Sequence, residues 1–249
     1  MFRDTVKRAV ARAGRSTVGK NLIHAAVLED PGRARYSTVE RWPERLDGFE
    51  DLAFLFSSNQ LSHGIASLQL DEAALLYRLA RNVSPGAAVA EIGRFKGGST
   101  LLLASALPEG AELWSYDLHV ALRADLSGPE LDADLRAALE RFGLAERVHL
   151  FVADSRTADP PLRACELVFV DGDHSYEGAR ADYLRWRELV APGGHLLFHD
   201  AVDVGGYGNH YPGIARLVAE IERDDARLER RPDAGSIAHF TRTVSADTA

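Results

Sequence analysis

Five short apolar segments, which alternate with helix-like segments, are the feature that most constrains how this chain can fold. The apolar segments are residues 87–93, 112–118, 147–153, 166–171 and 195–198. They are near-continuous runs of small, branched and aromatic side chains, as expected of strands that are buried on both faces. Strands that alternate with helices predict a mostly parallel sheet.

The remaining segments complete an α/β layout. Helical spacing of apolar residues predicts helices over 71–80, 99–107, 129–142, 176–190 and 214–223, with Asp71 as the cap of the first. Residues 227–231 and 236–241 predict a terminal antiparallel pair of strands. We therefore expect an α/β fold with a seven-stranded, mostly parallel sheet and helices on both faces. Residues 71–249 would form this domain, and residues 1–70 a helical arm or cap.

Charge and composition indicate which kinds of binding partner to expect. The formal net charge of −8 disfavours nucleic acid, which needs a concentrated basic surface. Basic residues nevertheless cluster at the start of the chain among apolar residues at helical spacing; they are Arg3, Lys7, Arg8, Arg12, Arg15 and Lys20. This pattern indicates an amphipathic helix that packs on the body or on another subunit, so a homo-oligomer through the arm is one expectation. A membrane-surface or targeting helix is the alternative.

No apolar run of the sequence is long enough for a signal-peptide core or a membrane-spanning helix. We therefore expect a cytoplasmic protein without a membrane partner. The single cysteine, Cys165, excludes an internal disulfide and lies beside an apolar run, which favours a buried structural role.

Polar residues stand where each predicted strand ends. In chain order they are Glu91 and Gly93, Asp117, Asp154, Asp171, and His199 with Asp200. Ligands of open parallel sheets bind outside the carboxyl ends of the strands. The sequence therefore predicts a ligand site at this edge of the sheet.

The first turn at this edge indicates the kind of ligand. Its glycines are spaced Gly93-x-x-x-Gly97-Gly98, which matches neither the dinucleotide fingerprint nor the phosphate-binding Walker pattern. The Glu91 carboxylate would repel a pyrophosphate but suits a cofactor with ammonium and sulfonium charges. Asp117, at the end of the second strand, is placed to accept hydrogen bonds from two ribose hydroxyls. A tight turn of purely structural importance is the alternative.

Four sequence elements together resemble class I S-adenosylmethionine-dependent methyltransferases. They are residues 91–100, the strand that ends in Asp117, the segment FVDGDHSYE at 169–177, and PGG at 192–194 followed by FHD at 198–200. The chain is most similar to the methyltransferase-24 family, and also to macrocin- and mycinamicin-type sugar O-methyltransferases and cephalosporin hydroxylase-like proteins. The resemblance spans roughly residues 61–214 and leaves the arm uncovered.

The resemblance implies a Rossmann-like fold and the cofactor S-adenosyl-L-methionine. It also implies methylation of a small-molecule hydroxyl, such as that of a natural-product sugar. The cofactor-binding residues it implies are Glu91, Gly93, Gly97, Ser99, Asp117, Leu118, Asp154, Ser155 and Asp171. A small-molecule N-methyltransferase, a nicotinamide-dependent oxidoreductase and a non-catalytic cofactor-binding protein are the alternatives.

Metal assistance is a further implication. The related sugar enzymes hold a metal through the aspartate that matches Asp171 and an acidic pair that matches His199-Asp200, where this chain has histidine first. We expect Mg²⁺ or Mn²⁺ on Asp171, His199 and Asp200, because aspartate oxygens suit hard ions, whereas a histidine favours softer ones. The alternative is that His199 and Asp200 shape the pocket without a metal.

His174 is the expected general base, by analogy with the histidine proposed for this role in the sugar enzymes. Its alternative role is to hydrogen-bond the loop, and His199 is the competing base. A glycine-rich segment at 205–213 follows the fifth strand and indicates a mobile lid over the substrate.

Overall fold

The computed structural model of the chain describes residues 35–57, 64–119, 127–204 and 211–244. Its strands are β1 (Ala88–Ile92), β2 (Glu112–Asp117), β3 (Val148–Val152), β4 (Cys165–Val170), β5 (Val190–Phe198), β6 (Leu228–Ala234) and β7 (Ile237–Arg242). Its α-helices are α1 (Phe54–Ser57), α2 (Leu70–Arg81), α3 (Gly98–Ala106), α4 (Gly128–Arg141), α5 (Tyr176–Trp186) and α6 (Pro212–Asp224). Single 3₁₀ turns lie at Tyr36–Thr38, Phe49–Leu52 and Ala145–Arg147.

The strands form one seven-stranded sheet in the order β3-β2-β1-β4-β5-β7-β6. All neighbours pair in parallel except β7, which is antiparallel to both β5 and β6. The expected Rossmann-like sheet is therefore confirmed. From β1 the chain first runs outward through β2 to β3 and then crosses to β4 on the other side of β1. This reversal opens a crevice between the carboxyl ends of β1 and β4.

Two apolar layers cover the sheet, one on each face. One contains side chains of α2 and α3, and the other contains side chains of α5 and α6. Every residue of β1 is buried, which explains why all of them except Glu91 are apolar. Arm residues join the first layer: Leu52 and Leu55 are fully buried, and Trp42 packs on Phe142 of the α4 cap with ring centroids 5.7 Å apart. The described part of the arm thus shares the core of the sheet.

Two expected boundaries are wrong. Helix α2 is capped by Gln69 rather than by Asp71, because the Glu72 carboxylate accepts the Gln69 N–H and places Asp71 in the first turn. Helix α5 ends at Trp186 instead of continuing to residue 190. Strand β5 already begins at Val190, which pairs with Cys165, and the register then shifts before Leu167 pairs with His195. The Pro-Gly-Gly segment therefore lies inside an irregular stretch of strand and does not end a helix.

The basic N-terminal helix lies outside the described residues, as does residue range 205–210 of the expected lid. Within the ranges given above, no helix is both long and apolar enough to cross a membrane.

Candidate active site

The glycine turn lies in the crevice and packs directly on the end of β4. Gly93 has a φ of 83°, and a Cβ at this position would overlap the backbone carbonyl of Asp171. The position of the middle glycine in a dinucleotide fingerprint is occupied by Phe95, whose φ of 47° is also left-handed. A bulky side chain in this conformation is strained and persists only where the surroundings fix the backbone.

Asp117 supplies part of that fixation. Its Oδ2 accepts the backbone N–H groups of Arg94 at 2.9 Å and Phe95 at 3.0 Å, and its Oδ1 accepts the N–H of His119 at 2.6 Å. The residue remains half-buried, and the adjacent Leu118 is 51% exposed. Asp117 therefore ties the glycine turn to β2 while it still faces the edge where a ligand would bind.

Glu91 lies under the turn, away from solvent. Its carboxylate accepts hydrogen bonds from the hydroxyls of Ser99 at 2.5 Å, Thr100 at 2.6 Å and Ser115 at 2.6 Å. Burial raises the pKa of Glu91, and the three hydroxyl donors oppose that rise. Glu91 and Ser99 thus bind each other and hold the start of α3 against β1. Their direct contact with a cofactor stays a prediction.

The Arg94 side chain anchors the turn from the opposite side. It is fully buried and makes a bidentate ion pair with Asp132 of α4, with both N–O distances at 2.8 Å. It also donates to the carbonyl oxygen of Phe151 at 2.9 Å. The ion pair of Arg94 with Asp132 was not predicted from the sequence, because nothing in the spacing of the two residues indicates that α4 lies over the turn.

Asp154 and Ser155 follow β3 beside the end of β2, where the N–H of Ala153 donates to the Asp117 carbonyl at 3.0 Å. The Asp154 carboxylate pairs with Arg156 at 2.6 Å. The Ser155 hydroxyl donates to Asp182 of α5 at 2.6 Å, and burial raises the pKa of Asp182 to about 6. The two residues lie on the expected edge, and their contact with an adenine ring stays a prediction.

Asp171, His174 and Asp200 form a compact cluster at the ends of β4 and β5. One ligand-type atom from each lies within 4.8 Å of the others. The Nε2 of His174 is 3.4 Å from Asp171 Oδ1 and 3.3 Å from Asp200 Oδ2. This nitrogen is buried and makes no hydrogen bond of good geometry with any described residue. Two carboxylates and an imidazole that converge in this way fit a divalent cation such as Mn²⁺, Fe²⁺ or Zn²⁺.

The charge of the two aspartates changes the proton affinity of His174. Burial lowers the pKa of this imidazole, but Asp171 and Asp200 outweigh burial and raise it to about 9. The ring also stacks on Tyr211 at a centroid distance of 4.3 Å, just before α6. Tyr211 is one of the few residues of the expected lid that the structure describes.

His199 lies behind this cluster. Its Nδ1 is 3.1 Å from Asp171 Oδ1 and its Nε2 is 3.2 Å from Glu72 Oε2. Burial lowers the pKa of His199, whereas the Asp171 charge and the Glu72 hydrogen bond raise it well above its ordinary value. His199 Nδ1 is also 3.6 Å from Asp200 Oδ1, so both imidazoles lie near both aspartates. The group that could hold a metal ion contains His174 with the two aspartates, and His199 as a ligand stays a prediction.

Glu72 is the residue of this region that sequence reasoning missed. It is 1% exposed, although it lies in the first turn of α2. The sequence separates it from His199 by 127 positions, and no local pattern indicates that the two side chains meet.

The sheet order, the glycine turn and the acidic end of β2 together define a class I S-adenosylmethionine-dependent methyltransferase fold. Residues 90–201 match the methyltransferase-24 family, described as a methyltransferase domain. The resemblance inferred from the sequence is thereby confirmed over this segment.

Solved methyltransferases have the same fold at low sequence identity. The O-methyltransferase TomG from Streptomyces achromogenes, involved in tomaymycin synthesis and solved with S-adenosylmethionine, is 19% identical, with a TM-score of 0.55 over 73% of this chain and 83% of its own. The Bacillus cereus O-methyltransferase with S-adenosylhomocysteine is 16% identical, with a TM-score of 0.54 over 92% and 100%. The Podospora anserina methyltransferase PaMTH1 with S-adenosylhomocysteine is 16% identical, with a TM-score of 0.54 over 73% and 82%.

Proposed function

We propose that this chain transfers a methyl group from S-adenosylmethionine to a hydroxyl group of a small molecule, assisted by a divalent cation. The observation that carries the proposal is the adjacency of two features. Gly93 of the glycine turn packs on the backbone of Asp171, and Asp171 is also part of the cluster with His174 and Asp200. A cofactor on the turn and an acceptor at the cluster would therefore meet.

The cofactor would lie along the carboxyl edge from β1 to β3. Asp117 would accept the ribose hydroxyls, and the exposed Leu118 would contact the adenine ring, with Asp154 and Ser155 at its edge. Gly93 and Gly97 both have a φ of 83° and pack on the Asp171 backbone and on the Leu135 side chain, so they would shape the turn on which the methionine part lies. Glu91 and Ser99 would support the turn from below through their mutual hydrogen bond. The bound cofactor supplies an electrophilic methyl group, and the protein has to orient the acceptor and take up its proton.

Asp171, His174 and Asp200 would hold the cation. A bound divalent cation lowers the pKa of an acceptor hydroxyl, which makes the oxygen a better nucleophile. His174 has two roles available here, and they exclude each other: its Nε2 either coordinates the cation or takes up the acceptor proton. In both roles the imidazole must be neutral. A cation that compensates the charges of Asp171 and Asp200 would remove the effect that holds its pKa near 9.

A small-molecule acceptor is favoured over nucleic acid by the net charge of −8. TomG, described as an O-methyltransferase of tomaymycin synthesis, provides an analogy for a small-molecule substrate, and the Bacillus cereus protein for O-methylation. Transfer to nitrogen is the second candidate, because an amine acceptor needs no cation to lower its pKa. A nicotinamide oxidoreductase is disfavoured by Phe95, which stands where a dinucleotide fingerprint needs glycine.

Two measurements test the proposal. Calorimetry with S-adenosylhomocysteine should show binding and NADH should show none; the reverse result would overturn the cofactor assignment. Transfer of labelled methyl groups to a panel of sugars, phenols and amines should then favour hydroxyl acceptors, stop in EDTA and resume with Mn²⁺ or Mg²⁺. Asp171→Asn should lose the stimulation by Mn²⁺ or Mg²⁺. Glu146→Gln should keep it, because Glu146 lies in the turn directly before β3, at the amino end of that strand. Full turnover in excess EDTA would contradict cation assistance.

A further inference from the structure

Glu72 lies on a helix outside the matched segment 90–201 and contacts two residues that border the cluster of Asp171, His174 and Asp200. Its Oε2 accepts the N–H of Gln69 at 2.6 Å and lies 3.2 Å from His199 Nε2. Its Oε1 accepts the N–H and the hydroxyl of Ser236 at 2.7 and 2.8 Å. A carboxylate with this many donors is firmly held, and it stands out because a simple helix cap would use only the Gln69 contact.

His199 connects Glu72 to one aspartate of the cluster. The imidazole lies between the two carboxylates, with Nε2 toward Glu72 and Nδ1 3.1 Å from Asp171 Oδ1. Its side chain is only 7% exposed, so water has little access to replace either contact. A buried imidazole fixed at one nitrogen can orient the carboxylate at its other nitrogen.

Ser236 connects Glu72 to the other aspartate. Its hydroxyl donates to Glu72, accepts the N–H of Asp200 at 3.2 Å, and lies 3.4 Å from Asp200 Oδ1. Ser236 belongs to the β6–β7 turn, and Gly235 before it packs so closely that a Cβ would lie 2.5 Å from Glu72 Oε1. Both aspartates are thus held by groups that Glu72 itself holds.

We propose that Glu72 is a positioning residue for the cation site, acting through His199 on Asp171 and through Ser236 on Asp200. This inference rests on the proposed function, because it needs a cation at the cluster. Outer partners in direct contact with metal ligands typically contribute about 10–100-fold to metal affinity, and Glu72, which acts one contact further out, should contribute at the lower end of this range. The cation affinity of the folded apoprotein should therefore depend on Glu72, although Glu72 would not touch the cation.

The first test measures Mn²⁺ binding by the decrease of the free-ion signal in electron paramagnetic resonance, without cofactor or acceptor. Glu72→Gln should weaken Mn²⁺ binding about 10-fold. Asp225→Asn is the matched control, because Asp225 is also a buried, multiply bonded carboxylate but pairs with Tyr183 and Arg227. Circular dichroism should show that both variants are folded at the temperature used. The control should bind Mn²⁺ like the wild-type chain, even where its melting temperature is lower.

A second pair of variants disturbs Glu72 without replacing it. Gly235→Ala and Gly143→Ala both force a side chain into a left-handed backbone, with φ values of 52° and 68°. A Cβ at Gly143 meets nothing within 4 Å, whereas one at Gly235 presses on the Glu72 carboxylate. Gly235→Ala should weaken Mn²⁺ binding and Gly143→Ala should not.

The outcomes separate this inference from the function on which it rests. Unchanged Mn²⁺ affinity in Glu72→Gln and Gly235→Ala, with binding lost in Asp171→Asn, would overturn the positioning role and leave the cation site standing. A wild-type chain that binds no Mn²⁺, Mg²⁺ or Zn²⁺ would overturn both.

Discussion

Replacing Asp117 with asparagine separates two roles of one carboxylate, because Asp117 both holds the glycine turn and is the proposed partner of the ribose. In the structure one oxygen accepts from Arg94 and Phe95 and the other accepts from His119. An asparagine can keep its oxygen toward the first two N–H groups. Its amide then faces the third N–H, and that hydrogen bond is lost.

The size of both effects follows from the loss of charge-assisted hydrogen bonds, each of which contributes about 1.5–3 kcal/mol. For folding, this loss should lower the melting temperature by about 3–10 °C in a chain of this length. For the cofactor, the loss of one ribose contact of the same strength should weaken S-adenosylhomocysteine binding about 10- to 100-fold. The negative charge of Asp117 should therefore contribute both to the melting temperature and to the affinity for S-adenosylhomocysteine.

Asp51→Asn is the matched control for this experiment. Asp51 Oδ2 also accepts two backbone N–H groups, from Asp47 at 2.8 Å and Gly48 at 3.1 Å, but it lies in the arm. Calorimetry with S-adenosylhomocysteine and thermal melting should be run on both variants. If Asp117→Asn binds S-adenosylhomocysteine as tightly as Asp51→Asn does, Asp117 does not hold the ribose, and the reasoning for the cofactor edge is wrong.

Three further predictions concern other parts of the chain. His174→Ala should lose bound Mn²⁺, by metal analysis, if its Nε2 is a ligand. If His174 is instead the base, this variant should keep the metal but transfer methyl groups about 10²–10⁴-fold more slowly. His199→Ala should retain residual Mn²⁺ binding, and unchanged Mn²⁺ binding and methyl-transfer rate in both variants would exclude both residues from these roles. Hydrogen bonds from Arg227 hold the pKa of Asp225 well below its usual range, so this carboxylate stabilises the fold above pH ~4 and ceases to do so as acid protonates it. Asp225→Asn should therefore melt about 3–10 °C lower than the wild-type chain at pH 7. This difference in melting temperature should narrow toward pH 3, and a constant difference would refute the linkage. Breaking the buried pair by Asp132→Asn should cost about 3–5 kcal/mol, and the double variant Arg94→Met with Asp132→Leu should recover part of the melting temperature; no recovery would indicate that the pair is needed for more than its charge balance.

The edge of the sheet that contains the site could be predicted from the sequence, because the change from apolar to polar residues at each strand end is visible within a few positions. Each parallel strand is mostly apolar and is followed or ended by a polar residue where the chain leaves the core, as at Asp117 and Asp171. The turn after β1 is equally local, since glycine spacing and the strand before it lie within ten residues. These signals sufficed for the fold and for the family.

The side chains that meet across the site could not be predicted in the same way. Periodicity ends where a strand ends, so the sequence cannot indicate whether His174 or His199 joins the aspartates. Both imidazoles lie near Asp171 in the structure, and the Glu72 contact of His199 comes from a residue 127 positions away. The contacts of Glu72 and Asp132 could not be predicted either. Both carboxylates lie on helices, and no local sequence pattern indicates where those helices pack on the sheet.

The most direct test of the account is an anomalous diffraction map, recorded at the manganese edge, from crystals grown with Mn²⁺ and S-adenosylhomocysteine. We expect one manganese peak between Asp171, His174 and Asp200, and S-adenosylhomocysteine beside it with its ribose on Asp117. Ordered S-adenosylhomocysteine without a manganese peak at this cluster would contradict cation assistance. Ligand density away from the carboxyl ends of β1 and β2 would contradict the proposed cofactor site and with it the proposed function.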